Sequence, residues 1–515
     1  MIQSGVAGAA ELLRQARELY HGDPAALAVL DELDHRLAGP LRIAVAGMVK
    51  AGKSTLLNAI IGEEIAPTDA GECTRIVTWY RYGHAPRITL HPLAGEPRAL
   101  PVNREDGRLV FSLGELQAED VEKLVVDWPS ASLRDLTLID TPGIASLSSE
   151  VSARSTAFLV PEDAPMAADA VIYLMRHLHA SDVHFLESFK DTTAGKSGTV
   201  NALAVLSRAD EIGAGRIDAL ISAAVIAERY SRDENLKPLA LGVVPVAGLL
   251  AQSARTMRQR DVDAFTVLAR LDRNQRERMM LSVDRFVRPG PGGLPGPGGL
   301  PGPGGLPGPG GLPGPDGLDP ELKESLVQRF GMFGIRLAVA LIRGGIDSPT
   351  ELAHELARRS GLGQLLGTVD SLFQTRADAL KARAAVVGLE SLLSGSQPGE
   401  AAVLETALEQ LLAGAHEFKE LRLLGLLRTG ASGLAPGQAE EAEQLVGGRG
   451  NLPFQRLGLP PEVGPDDIAR AARDAVDRWR HIAENPLLLD SSAVDACRVV
   501  LRSCEGILAA MPAVR

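Results

Sequence analysis

Gly47-Met48-Val49-Lys50-Ala51-Gly52-Lys53-Ser54 fits the spacing G-x-x-x-x-G-K-[ST] of a phosphate-binding loop. Glycines let such a loop curl until successive N–H groups face phosphate oxygens, and a helix N-terminus behind it adds a favourable dipole. Lys53 would neutralise charge on the outer phosphates, and Ser54 would ligate Mg2+. Gly47, Ala51, Gly52, Lys53, Ser54 and Thr55 are therefore the candidate contacts for a bound nucleotide's phosphates.

Three further clusters follow in order. Leu138-Ile139-Asp140-Thr141-Pro142-Gly143 ends an apolar run in Asp-x-x-Gly. There Asp140 would hold the water shell of the metal ion, and the Gly143 N–H would face the γ-phosphate. Between this cluster and the loop, a threonine could close over metal and γ-phosphate, and Thr68, Thr74 and Thr78 are all available. Ser207-Arg208-Ala209-Asp210 comes next. An aspartate here can accept from guanine N1 and N2, with the aliphatic stem of Arg208 lying along the base. Last, Val246-Ala247-Gly248 ends another apolar run, where the backbone N–H groups of Ala247 and Gly248 could meet the guanine carbonyl.

These residues must be carried by particular elements. Leu41–Ala46 reads as a buried parallel strand, with further strands at Leu136–Ile139, Ala170–Leu174, Ala202–Leu206 and Val243–Val246. Helical segments space them, which implies an α/β layer with a mainly parallel sheet. Before it, residues 1–40 hold two helical patterns separated at Gly22-Asp23-Pro24, with Asp23 as N-cap. The α/β unit is expected over 41–365. Within it, residues 289–319 repeat Gly-Pro-Gly-Gly-Leu-Pro, with glycine at every third position from Gly290 to Gly317. Half of those triplets carry a second glycine, which makes a poor collagen helix, so a solvated, disordered insert is expected. A stripe from Leu362 to Val387 and another from Leu404 to Phe418 predict a helical hairpin or stalk, 366–430, turning at Gly395–Gly399. Residues 431–452 read as a linker, and 453–515 as a small helical module around Trp479.

Composition removes several classes. With 53 Lys and Arg against 65 Asp and Glu the net charge is −12, which argues against nucleic-acid binding through bulk positive charge. Aromatic residues, at 4%, are too few for base-stacking platforms. Cys73, Cys497 and Cys504 read as free thiols of a reducing compartment, the last two as core thiols and not metal ligands. The apolar runs Pro238–Ala251 and Met332–Ile342, the latter interrupted by Arg336, fall short of a membrane span. No export signal is visible, and a cytoplasmic location is expected.

The ordered motifs resemble a GTPase domain. More narrowly, Lys50–Asn58 and Asp69-Ala70-Gly71-Glu72-Cys73-Thr74-Arg75 are similar to the bacterial dynamin-like proteins, above all the actinobacterial isoniazid-inducible type, as is Thr375–Arg383 on the hairpin. The resemblance implies an α/β P-loop GTPase domain joined to a helical bundle and stalk, GTP and Mg2+ as ligands, and Thr74 as the switch threonine. Ser54, Thr74 and Asp140 would then serve the metal, and Lys50, Lys53, Thr74 and Gly143 the hydrolysis. It also implies self-association, a paired dynamin-like partner, and action at the inner face of the cell membrane. A scaffold that binds GTP without hydrolysing it is the alternative. Ser207 stands where Asn or Thr is usual, and Ile144, not glutamine, follows Gly143. Dynamins place a cation-coordinating serine at the position of Lys50, so the Lys50 ammonium is expected to supply that charge itself. The C-terminal module is weakly similar to a J-domain, through Leu457-Gly458-Leu459 and the helix with Trp479. Ile482 and Ala483 follow His481 where Pro and Asp would be needed, so a structural cap is expected.

Overall fold

Near-continuous apolar strands form the centre of one sheet, because only a strand covered by helices on both faces can bury every side chain. The computed structural model describes residues 5–67, 76–105, 108–114, 116–142, 167–188, 200–287, 317–395, 401–484 and 490–511. Its strands are β1 (Leu41–Gly47), β2 (Thr78–Tyr82), β3 (Arg87–Pro92), β4 (Arg98–Leu100), β5 (Asn103–Glu105), β6 (Arg108–Val110), β7 (Val121–Trp128), β8 (Leu136–Asp140), β9 (Ala170–Met175), β10 (Ala202–Ser207) and β11 (Val243–Val246). Among the described residues, nine strands make one sheet in the order β11-β10-β9-β1-β8-β2-β7-β3-β4, while β5 and β6 pair separately. The five strands read from sequence are β1, β8, β9, β10 and β11, all mutually parallel. The apolar runs do not reveal β2 to β7. Of these, β2, β3, β4 and β7 extend the sheet, with antiparallel pairings of β2 with β8, β3 with β7 and β3 with β4.

Parallel pairing aligns the C-terminal ends of β1, β8, β9, β10 and β11, the edge at which α/β sheets bind ligands. Ile43, Val45, Leu138, Ile172, Leu203 and Val205 form the core on one face, Ala44, Ile139, Tyr173 and Leu206 that on the other. Each large aliphatic side chain among them contributes about 1.5–3 kcal/mol by leaving water.

Helices Gly5–Leu19 and Pro24–Ala38 pack on helix Ala377–Ser394, with helix Ala402–Gly414 completing a bundle around Leu12, Leu13, Leu30, Leu33, Leu389 and Leu404. Asp23 caps the second helix as expected, its Oδ1 accepting from the Ala25 and Ala26 amides. The hairpin is built from shorter pieces than its two stripes suggest: Leu362–Leu372, Ala377–Ser394, Ala402–Gly414 and His416–Arg428. The border at 365 falls inside the first of these. Residues 431–452 are not merely a linker: helix Pro436–Leu445 lies there, with Ala442 and Leu445 buried and Glu443 paired to Arg428. Helices Pro465–Ala483 and Ser491–Ala510 pack together around Trp479, Cys497 and Cys504. Burial pushes both thiols up, Cys504 to about 11, as inert core cysteines require. Residues 289–316 of the Gly-Pro insert, Cys73 and most of the turn Gly395–Gly399 lie outside the described residues, while Leu318 is buried and Asp319 caps the helix that follows.

Candidate functional site

The phosphate loop leaves β1 at Gly47, whose φ of +146° and closeness to β9 require glycine: a Cβ there would stand 2.4 Å from the Leu174 carbonyl oxygen. Gly52, at φ +97°, opens helix Lys53–Ile61. Ala51 is buried and donates to the Met48 carbonyl at 3.1 Å. The Lys53 ammonium folds back over the loop, donating to the carbonyls of Gly47 at 3.1 Å and Met48 at 3.4 Å. Burial pushes its pKa down, opposed by the charge of Asp140. Lys50 is exposed and takes a left-handed backbone, φ +64°.

Strand β8 sets Asp140 beside this loop, since Val45 of β1 and Asp140 are register partners. The Ser54 hydroxyl donates to Asp140 Oδ2 at 3.2 Å. Oδ1 of Asp140 is shut from solvent with no hydrogen-bond partner among the described residues. Burial pushes the Asp140 carboxyl up to about 6, against the opposing pull of Lys53 and the Ser54 hydrogen bond. A hydroxyl and an unsatisfied carboxylate oxygen at the phosphate end form a hard oxygen donor set, which fits Mg2+. Thr141 turns away and donates to the Val45 carbonyl at 3.0 Å. Of the candidate threonines, Thr78 is buried in β2, opposite Asp140. Thr68, Thr74 and Gly143 lie outside the described residues.

The loop opens into a cavity of about 160 Å³, lined by Ala51, Gly52, Thr55, Ser207, Arg208, Asp210 and Gly248 over an apolar floor that includes Leu56, Leu174 and Val205. Asp210 is buried at its wall, and that burial pushes its carboxyl up, Glu211 adding to the shift and Arg208 opposing it. The Ser207 hydroxyl does not tie the phosphate loop: it donates to the Met175 carbonyl of β9 at 3.1 Å. Arg208 makes the tie instead, donating through Nη2 to the Lys50 carbonyl at 3.1 Å. Glu211 steadies that guanidinium at 2.8 Å and is itself held by Arg176 at 2.6 Å.

Of Ala247 and Gly248, which follow β11, only Gly248 lines the cavity. The Ala247 amide, expected at the guanine carbonyl, is committed to the Ser360 carbonyl at 2.8 Å. Gly248 is the first residue of helix Gly248–Arg255, where helix geometry leaves an amide without an intrahelical acceptor. Lys50, Lys53, Ser54, Thr55, Asp140, Arg208, Asp210 and Gly248 thus converge on one edge of the sheet. Sequence reasoning missed Arg176, Glu211 and Leu249, the last two of which line the cavity. It also missed the approach of helix Pro320–Arg343, whose signal was the arginine interrupting an apolar run.

Residues 43–194 match the Dynamin family. The isoniazid-induced protein IniC of Mycobacterium tuberculosis is 40% identical over 510 residues, covering 98% of each chain. A bacterial dynamin-like protein of Nostoc punctiforme is 34% identical over 117 residues, 21% of this chain and 17% of that protein. A solved structure described as "An oligomerised bacterial dynamin pair provides a mechanism for the long-range sensing and tethering of membranes" aligns with 99% of this chain and 75% of its own at 12% identity. Its TM-score of 0.30 is too low to carry an argument. The kinship with IniC spans nearly the whole of both chains, and the family match covers the loop, β8 and β9. The chain therefore belongs to the bacterial dynamin-like proteins of the isoniazid-induced type, and its sheet is a dynamin-like GTPase domain.

Proposed function

We propose that the chain binds GTP with Mg2+ and hydrolyses it, at a rate that rises as copies associate. The observation carrying this reading is the convergence of Lys53, Ser54 and Asp140 at the phosphate loop, whose Ala51 and Gly52 line a cavity together with Asp210. Guanine would enter over Leu174 and Val205, with its N1 and N2 hydrogens toward Asp210, an arrangement that adenine cannot satisfy. The phosphates would take the Lys53 ammonium from the loop carbonyls that now hold it. Ser54 and Asp140, with Thr74 closing from its segment, would hold the metal ion, which when bound offsets charge on the β- and γ-phosphates. Gly143 would offer its amide to the γ-phosphate. Lys50, exposed at the loop's crest, would approach the bridging oxygen as charge develops there.

Kinship supports extending the reading to self-association and to a paired dynamin-like partner, and we extend the proposal itself to a cytoplasmic protein working at the inner face of the cell membrane. Helix Pro320–Arg343 is long and apolar enough to cross a membrane by length and composition. It buries Leu326, Phe330, Phe333, Leu337 and Leu341 within the fold, and we assign it a place in the protein core. A scaffold that binds GTP without turning it over is the second reading, favoured by Ile144 in place of a water-orienting glutamine.

GTP turnover per molecule, measured across a wide range of protein concentration with ATP as control, tests the proposal. Turnover that climbs with concentration is expected. Tight binding with flat, near-zero turnover would replace hydrolysis by the scaffold reading.

A further inference from the structure

The base-reading loop is held from behind by a helix that none of the nucleotide motifs includes. Helix Pro320–Arg343 breaks at Gly331, with φ +62° and ψ 170°, a conformation essentially confined to glycine. A Cβ built on Gly331 would lie 3.9 Å from Asp210 Oδ2 and 3.8 Å from Leu249 Cδ2, so the break sits against the base-reading carboxylate itself. Farther along the helix, buried Phe333 lies over Gly215, 3.8 Å from where a Cβ would stand. Arg336 then reaches the same loop. Its Nη1 donates to the carbonyls of Gly215 and Ala214, while Nε and Nη2 donate to the Met280 carbonyl at 3.1 and 2.6 Å. Nη2 also reaches the Leu281 carbonyl at 3.5 Å.

The held loop is unusual. Gly213, Ala214 and Gly215 have φ values of +63°, +59° and +66°, and Ala214 is one of three left-handed non-glycine residues among those described. The other two are Lys50 and Arg208, joined by their own hydrogen bond at the same site. A backbone of this kind persists where its surroundings over-determine it. Arg336 supplies that constraint with the planar fork of a guanidinium, and no carboxylate pairs with it among the described residues. An aliphatic residue would continue the apolar run at lower desolvation cost, yet could not grip the carbonyl groups of two loops.

We propose that Arg336 and Gly331 are positioning residues for base recognition, fixing loop Asp210–Gly215 so that the Asp210 carboxylate meets the N1 and N2 hydrogens of guanine. The proposal rests on the guanine-nucleotide reading above and deepens it.

The test compares GTP with ITP, which lacks the 2-amino group that would donate to Asp210, in binding to the full chain. Wild type, Arg336→Lys and Gly331→Ala are measured, with the thermal midpoint and single-turnover rate of each. Wild type is expected to prefer GTP. Both variants should lose about tenfold more affinity for GTP than for ITP, which keeps the N1 hydrogen and lacks only the 2-amino donor, as expected when one further hydrogen bond to a charged acceptor is lost. Turnover of bound GTP should be little changed. Variants that keep the wild-type preference overturn the proposal. So do variants in which GTP and ITP affinity fall by the same factor along with the thermal midpoint, since that assigns the two residues to the fold alone. A wild type that binds GTP no better than ITP and ATP overturns the guanine reading itself, and this proposal with it.

Discussion

Burial of the Asp140 carboxylate costs the nucleotide-free fold stability at neutral pH. Its carboxyl is pushed up to about 6 from the ordinary value of 3.8, so the folded chain holds that proton more tightly than the unfolded one. The stability this contributes is therefore present below the ordinary carboxylate range and lost as pH rises through about 6. Asp140→Asn should stabilise the nucleotide-free protein near pH 7.5 by at most about 3 kcal/mol. The gain should shrink as pH falls toward 4. The same substitution should abolish the Mg2+-dependent part of GTP affinity. Denaturant melts across pH and titrations with and without Mg2+ read both effects. Lys50 separates charge from backbone, because its left-handed φ suits glycine better than any other residue. Lys50→Gly should leave GTP affinity within about twofold while slowing single-turnover hydrolysis about 100-fold. Wild-type hydrolysis in that variant would remove the lysine from the chemistry. The motifs themselves are legible in the sequence, because loop spacing is local along the chain. The reach of Arg208 to the Lys50 carbonyl is not, since 158 residues separate the partners.

Elements differ in how plainly they show themselves. Strands β1, β8, β9, β10 and β11 are buried on both faces, so their sequences are almost uninterrupted apolar runs. Strands β3 and β4 are partly exposed, with polar residues interleaved, which resembles loop composition. Helix Pro436–Leu445 is hidden for a similar reason: Pro436-Gly437-Gln438-Ala439-Glu440-Glu441 is polar, and its buried residues gather at the far end. The contact between β1 and β9 sets a sharp expectation. Gly47→Ala would drive a Cβ into the backbone oxygen of Leu174, an atom fixed by the sheet. We expect a loss of about 2–4 kcal/mol in unfolding free energy and no measurable nucleotide binding by calorimetry. An alanine variant that binds as wild type would mean that the loop leaves the strand differently.

Across the whole molecule, buried guanidinium groups join the layers. Arg428, on helix His416–Arg428, donates to the carbonyls of Lys237 and Ala240 at the rear of the GTPase domain and pairs with Glu443. Arg36 of the N-terminal helices pairs with Asp169 at the foot of β9, both side chains being almost fully buried. Removing one member leaves the other charged and unpaired in the interior. Arg428→Ala should cost about 3–5 kcal/mol in chemical denaturation, and the double variant Arg428→Met with Glu443→Leu should regain most of it. A double variant as unstable as the single one would show that the carbonyl contacts, and not the ion pair, hold the layers.

The order of the nucleotide motifs, the central parallel strands and the family can all be read along the chain, because they depend on residue type at short spacing and on runs of apolar residues. Folding in three dimensions settles what each motif residue does with its spare hydrogen-bonding groups. It takes the Ser207 hydroxyl for β9, the Ala247 amide for Ser360 and the Arg208 guanidinium for the phosphate loop. It also brings Gly331 and Arg336 to the base-reading loop from more than a hundred residues away. Hydrogen bonds of this kind depend on the distance between atoms after folding, and residue identity at a given spacing along the chain does not encode that distance.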